Sequence, residues 1–239
     1  MFPLRDTIRS KSFPIVTYGL IAANSIIFLF ESSLDPKGFN TLLDIFGLVP
    51  ARISTVYLLS IITPLTSVFL HGSWFHLISN MWTLFIFGDN VEDRMGPTRF
   101  LVFYLIAGVV SGLTHALVSN TIYGTLSPQS WIPTVGASGA IAGVLGAYFI
   151  LYPRARVVTL IPLFILPWFV EIPAFIYLGL WLFSQVSSGL LSLGAYGAFG
   201  GIAWFAHIGG FLVGFLLVRI FARKSEVYRH WYPDDYQPW

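Results

Sequence analysis

No cysteine occurs among the 239 residues, which excludes disulfides, thiol catalysis and cysteine-ligated zinc or iron–sulfur centres. Charge is nearly as scarce: Asp, Glu, Lys and Arg make up 10% of the chain, against about 25% in a soluble domain. The net charge is +2 and the basic residues form no long run, so nucleic acid is not an expected partner. No HExxH motif is present, which removes the usual zinc-protease helix. Carboxylates are almost missing from the apolar stretches, with Glu171 alone and beside a proline-rich segment. An aspartyl protease needs two facing Asp, and a proton-driven carrier needs a central acid. No internal repeat is visible either, which weighs against a transporter built on inverted repeats.

Apolar residues, by contrast, are abundant. They make up 56% of the sequence and the mean hydropathy is +0.75. A soluble globule of this length could not bury so much apolar surface, so the chain reads as an integral membrane protein in contact with a lipid bilayer. Six stretches are long enough to cross: 15–30, 70–88, 100–118, 136–152, 172–187 and 201–221. The segment 157–170, with Pro162 and Pro167, reads as an irregular or interfacial lead-in to the fifth span. The expected fold is therefore all-α, a polytopic bundle of six transmembrane helices. Its expected divisions are an N-terminal segment 1–14, a membrane domain 15–221 and a tail 222–239.

Basic residues set the orientation. Arg5, Arg9, Lys11, Arg94, Arg99, Arg154, Arg156, Arg219, Arg223, Lys224 and Arg229 fall on the side of the termini, and only Lys37 and Arg52 on the other. Eleven against two predicts both termini in the cytoplasm and a multi-pass protein of the cell membrane. The long outer loop 31–69 reads as a partly membrane-dipping structure, and the uncharged, glycine-rich loop 188–200 as a mobile one.

Polar groups inside a membrane are costly, so each is a functional candidate. Those noted are Asn24, His71, His76, Asn80, His115, Ser138, Glu171 and His207. Serine and histidine chemistry without an acid is what they allow. Ser138 lies in Gly136-Ala137-Ser138-Gly139, where a loop gives way to the fourth span. Free N–H groups in the first turn of a helix favour a developing oxyanion there. His207 lies on the sixth span, sharing a face of small residues with Ala203, Gly210 and Gly214. The fourth span has its own small face in Gly139, Gly143 and Ala147. Two such faces let helix axes close to the distance a Ser–His hydrogen bond needs. His76 and Asn80, four apart, share a face of the second span and could donate to an oxyanion. The plainer alternatives are helix packing for the glycines and serine, a bonded structural group for His207, and an interhelical clamp for His76 and Asn80. His115 reads as structural.

The combination His71…His76-x-x-x-Asn80, Gly136-x-Ser138-Gly139 and Ala206-His207-x-x-Gly210 resembles the rhomboid intramembrane serine proteases. The stretch 88–96 also looks like that family's loop after its second span. The resemblance implies a six-helix bundle with a water-filled cavity opening outward, and a Ser–His dyad without an acid. By position, Ser138 becomes the nucleophile and His207 its base. His76, Asn80 and the Ser138 backbone N–H become oxyanion donors, and Gly136, Ala137, Gly139, His71 and Gly210 shape the site. No metal or organic cofactor is implied. The implied substrates are single-pass membrane proteins; the oligomeric state is left open. Two departures stand out. Ala142 occupies a position that is aromatic in some bacterial members, and the first loop lacks the usual Trp-Arg pair although Arg52 is present. A catalytically inactive, client-binding rhomboid-like protein is the alternative function.

Overall fold

Local signals set the ends of the helices in the computed structural model, which describes residues 2–53, 58–163, 166–194 and 203–223. Helix α1 spans Ile15–Ser33, and α2 spans Pro36–Phe46 behind an Asp35 cap that accepts from the Gly38 N–H. Two single-turn helices follow, α3 at Pro50–Ile53 and α4 at Thr63–Thr66. Ser73 caps α5 (Trp74–Met95) by accepting from the His76 N–H. Gly96, at φ +79°, turns the chain directly into α6 (Pro97–Tyr123) with Pro97 at its first position. The remaining helices are α7 (Ser138–Leu151), α8 (Ala174–Gly194) and α9 (Trp204–Phe221).

The fold is mostly helical but not all-α. Strands β1 (Phe2–Asp6), β2 (Arg156–Leu163) and β3 (Leu166–Pro173) form an antiparallel sheet in that order. The segment 157–170, expected to be irregular, is thus the body of a hairpin in which Val157 pairs with Ile172 and Leu160 with Phe169. Its prolines are compatible with strands. Pro162 lies beyond Leu160, the partner of Phe2 and the last β2 residue paired to β1, so its missing N–H costs β1 nothing. Pro167 sits on the edge strand. Glu171 joins Arg156 across the hairpin at 3.6 Å.

Among the described residues, four helices are long and apolar enough to cross a membrane: Ile15–Ser33, Pro97–Tyr123, Ala174–Leu193 and Trp204–Phe221. The other two expected spans differ for distinct reasons. Helix α5 is long enough but carries His76, Asn80, Asp89 and Asn90 among its apolar residues, and it runs on through Glu92, Asp93 and Arg94 to Met95. The stretch 88–96, expected to be a loop, is therefore helical as far as Met95. Within it, buried Glu92 accepts from the Val16 and Thr17 N–H groups and the Thr17 hydroxyl at 2.8–2.9 Å, capping the start of α1. Helix α7 has only 14 residues and every residue from Gly139 to Tyr148 is buried. It is the central element, held between α6 and α9.

Large apolar side chains point outward around the bundle, among them Ile26, Leu117, Phe183 and Ile220, each at least 66% exposed. In water such a surface would be a liability; against lipid it is the matching solvent. The 31–69 region is built from α2, α3, α4 and two 3₁₀ turns, with Arg52 bridging both carboxylate oxygens of Asp44 at 2.8 and 2.9 Å. Residues 188–194 continue α8, and the rest of the loop expected to be mobile lies outside the described residues, as do residues 224–239 of the tail.

At the sheet end, Asp6 ties β1 to the helices. Its Oδ2 accepts from the Tyr148 hydroxyl at 2.5 Å and from Asn90 Nδ2 at 2.8 Å. Burial pushes this carboxyl up to about 7, against the lowering effect of the Tyr148 hydrogen bond.

Candidate active site

Ser138 is the first residue of α7, so its N–H and those of Gly139 and Ala140 precede the first intrahelical bond, from the Ile141 N–H to the Ala137 carbonyl. The turn before it depends on Gly136, whose φ is +127° and whose N–H donates to the Ser67 carbonyl at 2.8 Å. A Cβ at this position would stand 2.6 Å from His76 Cε1 and 2.7 Å from its Nε2. The imidazole of His76 therefore rests against the backbone just ahead of Ser138, a contact that only glycine permits.

Helices α7 and α9 meet through backbone. A Cβ on Gly210 would lie 2.0 Å from the Gly139 carbonyl oxygen, and one on Gly214 would lie 1.9 Å from that of Gly143. The expected small faces are thus in contact, but α7 uses two of them. The missing side chains of Gly139 and Gly143 admit Ser111 and Ala107 of α6, while Gly146 admits the Phe211 backbone of α9. Squeezed on both sides, α7 brings Ser138 Oγ to 2.8 Å from His207 Nε2.

The other ring nitrogen of His207 is also engaged. Its Nδ1 lies 2.8 Å from Oε1 of Gln185, a buried residue of α8. Sequence reasoning missed Gln185. The available signal was a long amide side chain in an otherwise apolar span, four residues after Trp181 and so on the same helix face. Trp181 itself approaches the His207 ring at 6.0 Å and 35°, and Trp204 meets it edge-on at 6.3 Å and 89°.

His71 is fully buried, and its ring lies 5.1 Å from that of His76. Asn80 Nδ2 lies 3.1 Å from His71 Nε2, so its amide is held by His71 rather than by His76. An amide nitrogen only donates, which makes this His71 nitrogen the acceptor. The backbone N–H of His71 donates to Oε2 of Glu31 at 3.1 Å. Glu31, expected just outside the first span, lies within α1 and is fully buried. The structure thus gathers Gly136, Ala137, Ser138, Gly139, His71, His76, Asn80, His207 and Gly210 at one end of the bundle and adds Glu31 and Gln185 to them.

Comparison with known proteins shows the family to which the chain belongs. The chain matches the Rhomboid domain family over residues 58–224, more than half its length. The chain belongs to the rhomboid family. Rhomboid protein 1, mitochondrial, of Saccharomyces cerevisiae is 30% identical over 177 residues, 72% of this chain and 45% of its own. Presenilin-associated rhomboid-like protein, mitochondrial, of Homo sapiens is 32% identical over 148 residues, 61% of this chain and 35% of its own. RHOMBOID-like protein 12, mitochondrial, of Arabidopsis thaliana is 29% identical over 183 residues, or 71% and 49%. This rhomboid chain spans less than half the length of these curated relatives. With Ala142 on α7, the His207 ring of this rhomboid takes its aromatic neighbours from α8 and α9 instead.

Proposed function

We propose that this rhomboid is an intramembrane serine endopeptidase that cuts single-pass membrane proteins in or near their transmembrane segments. The observation that carries the reading is the 2.8 Å contact between Ser138 Oγ and His207 Nε2 across two helices. In this mechanism His207 Nε2 takes the hydroxyl proton as Ser138 Oγ attacks the scissile carbonyl carbon. The oxyanion that forms accepts from the Ser138 N–H, His76 and Asn80 Nδ2. As the intermediate collapses, His207 returns the proton to the leaving amine and an ester on Ser138 remains. Water, deprotonated by His207, then attacks the ester, and His207 returns that proton to Ser138 Oγ as the acid product leaves.

Six spans with both termini in the cytoplasm complete the proposal, with α5 and α7 crossing alongside the four longer helices. At 1.5 Å per residue α7 is about 21 Å long, roughly 9 Å short of a bilayer core of about 30 Å. A helix this short, anchored at the sheet end, leaves Ser138 below the outer boundary, where water must enter a polar pocket for hydrolysis to occur. We assign the segments 1–14 and 222–239 to flanks of the membrane domain 15–221. The membrane we propose is the cell membrane, on the charge asymmetry of the loops; the mitochondrial names belong to relatives of which this chain covers less than half.

The experiment is labelling of the purified protein in mild detergent by a fluorescent fluorophosphonate, with Ser138→Ala and His207→Ala as comparisons. Labelling confined to wild type is the expected result. Wild type that is folded yet unlabelled would move the reading to an inactive, client-binding protein.

A further inference from the structure

Whether His207 can act as a base depends on which of its ring nitrogens carries the proton, because Nε2 must be bare to accept from Ser138. Hydrogen-bond directions within α8 determine this. The Ser184 hydroxyl lies 2.6 Å from the Trp181 carbonyl, which can only accept, so its single proton is committed there. Gln185 Nε2 lies 2.9 Å from that same Ser184 oxygen and must therefore be the donor to it. The same amide nitrogen has the Trp181 carbonyl as a second, longer acceptor at 3.4 Å. With its nitrogen turned toward Ser184, the amide presents Oε1 to His207 Nδ1 at 2.8 Å. A carbonyl oxygen cannot donate, so Nδ1 holds the proton.

From this chain of directions we infer that Gln185 is a positioning residue that fixes His207 as the Nδ1–H tautomer and aims its bare Nε2 at Ser138. It occupies the place that a carboxylate takes in a Ser-His-Asp triad, but as a neutral amide. It orients the ring without holding an ionised carboxylate in an apolar setting, where an unpaired charge is strongly disfavoured. It also ties the base on α9 to α8, so a displacement of α8 removes the partner that selects the tautomer. The inference rests on the serine-protease reading for its catalytic meaning, though the tautomer itself does not.

The test therefore has two readouts. The first is the ¹⁵N spectrum of histidine-labelled protein at a pH of about 8.5, well above the ordinary imidazole value near 6.5. His207→Gln assigns the signal by difference. The expected result is a protonated Nδ1 and a bare Nε2 in wild type, with that preference lost in Gln185→Met, which keeps the length but offers only a weakly accepting thioether. The second is the rate of fluorophosphonate labelling. Gln185→Met should label about 10- to 100-fold more slowly, and Gln185→Glu, which keeps an acceptor oxygen, should recover most of the rate. A wild-type His207 carrying its proton on Nε2 overturns the inference, and this measurement needs neither variant nor activity. So does a Gln185→Met protein with unchanged tautomer and wild-type labelling. Wild type that fails to label overturns the proposed function instead, while the spectrum still decides the role of Gln185.

Discussion

Gly210 of α9 and Gly139 of α7 touch backbone to backbone, close enough that a Cβ on the first would fall 2.0 Å from the carbonyl oxygen of the second. The residue just before Gly139 is Ser138, and His207 lies three residues, nearly one turn, before Gly210. The contact between the two glycines is thus what holds hydroxyl and imidazole at 2.8 Å.

Substituting Gly210→Ala should separate the two helices and cost activity more than fold. Overpacking of this kind destabilises by about 1–3 kcal/mol, whereas a displacement of about 1 Å at a reacting pair can cost on the order of 100-fold in rate. Thermal unfolding in detergent and fluorophosphonate labelling, read on the same sample, separate the two effects. Labelling at the wild-type rate would show that α9 can move away without disturbing the dyad.

Gly136→Ala is expected to lower labelling by a different route. The substituted residue would hold φ near +127° and press its methyl onto the His76 ring. Strained backbone of this kind costs about 1–3 kcal/mol, and His76 would also be displaced. Gly72→Ala is the control, since a Cβ there meets nothing within 4 Å. The prediction fails if the two alanine variants label alike.

Asp6 predicts a pH dependence of stability with a definite sign. Its carboxyl is raised by burial from 3.8 to about 7, so the folded chain holds this proton more tightly than the unfolded one. Between those values the native state binds more protons, and stability must fall as pH rises. The contribution is most favourable below the unfolded value and lost above about 7. Unfolding temperatures measured from pH 4 to pH 8 should therefore decline in wild type with a component that Asp6→Asn removes. An Asn side chain still accepts from the Tyr148 hydroxyl, so the variant should fold. Parallel profiles in the two proteins would count against a half-buried, proton-holding Asp6.

Ser138 and His207 were recognisable because their surroundings are local in sequence. Glycines at short spacings mark a helix start and a close-packed face whatever the rest of the chain does. Gln185 was not, because one amide in an apolar span gains meaning only from the ring that stands against it. Glu31 was hidden by a span boundary drawn three residues before the helix actually ends. The hairpin 156–173 was concealed by its composition. Runs apolar on both faces lack the alternation that marks a half-buried strand, and proline at 162 and 167 suggested a break instead of an edge.

What the amino-acid order determined alone is the solvent and the candidate side chains. Too little charge and too much apolar surface leave only a bilayer, and a serine at a helix start with a histidine on a small-residue face leaves few reactions. Tertiary structure alone decided the sheet pairing of residues 2–6 with 157–160, the double glycine contact that confines α7, and the partners of both His207 ring nitrogens. The physical reason is reach: hydropathy and helical spacing are carried by neighbours in sequence. A strand's partner or a ring's hydrogen bond is set by groups far along the chain: Ser138 stands 69 residues from His207 and 2.8 Å from its Nε2.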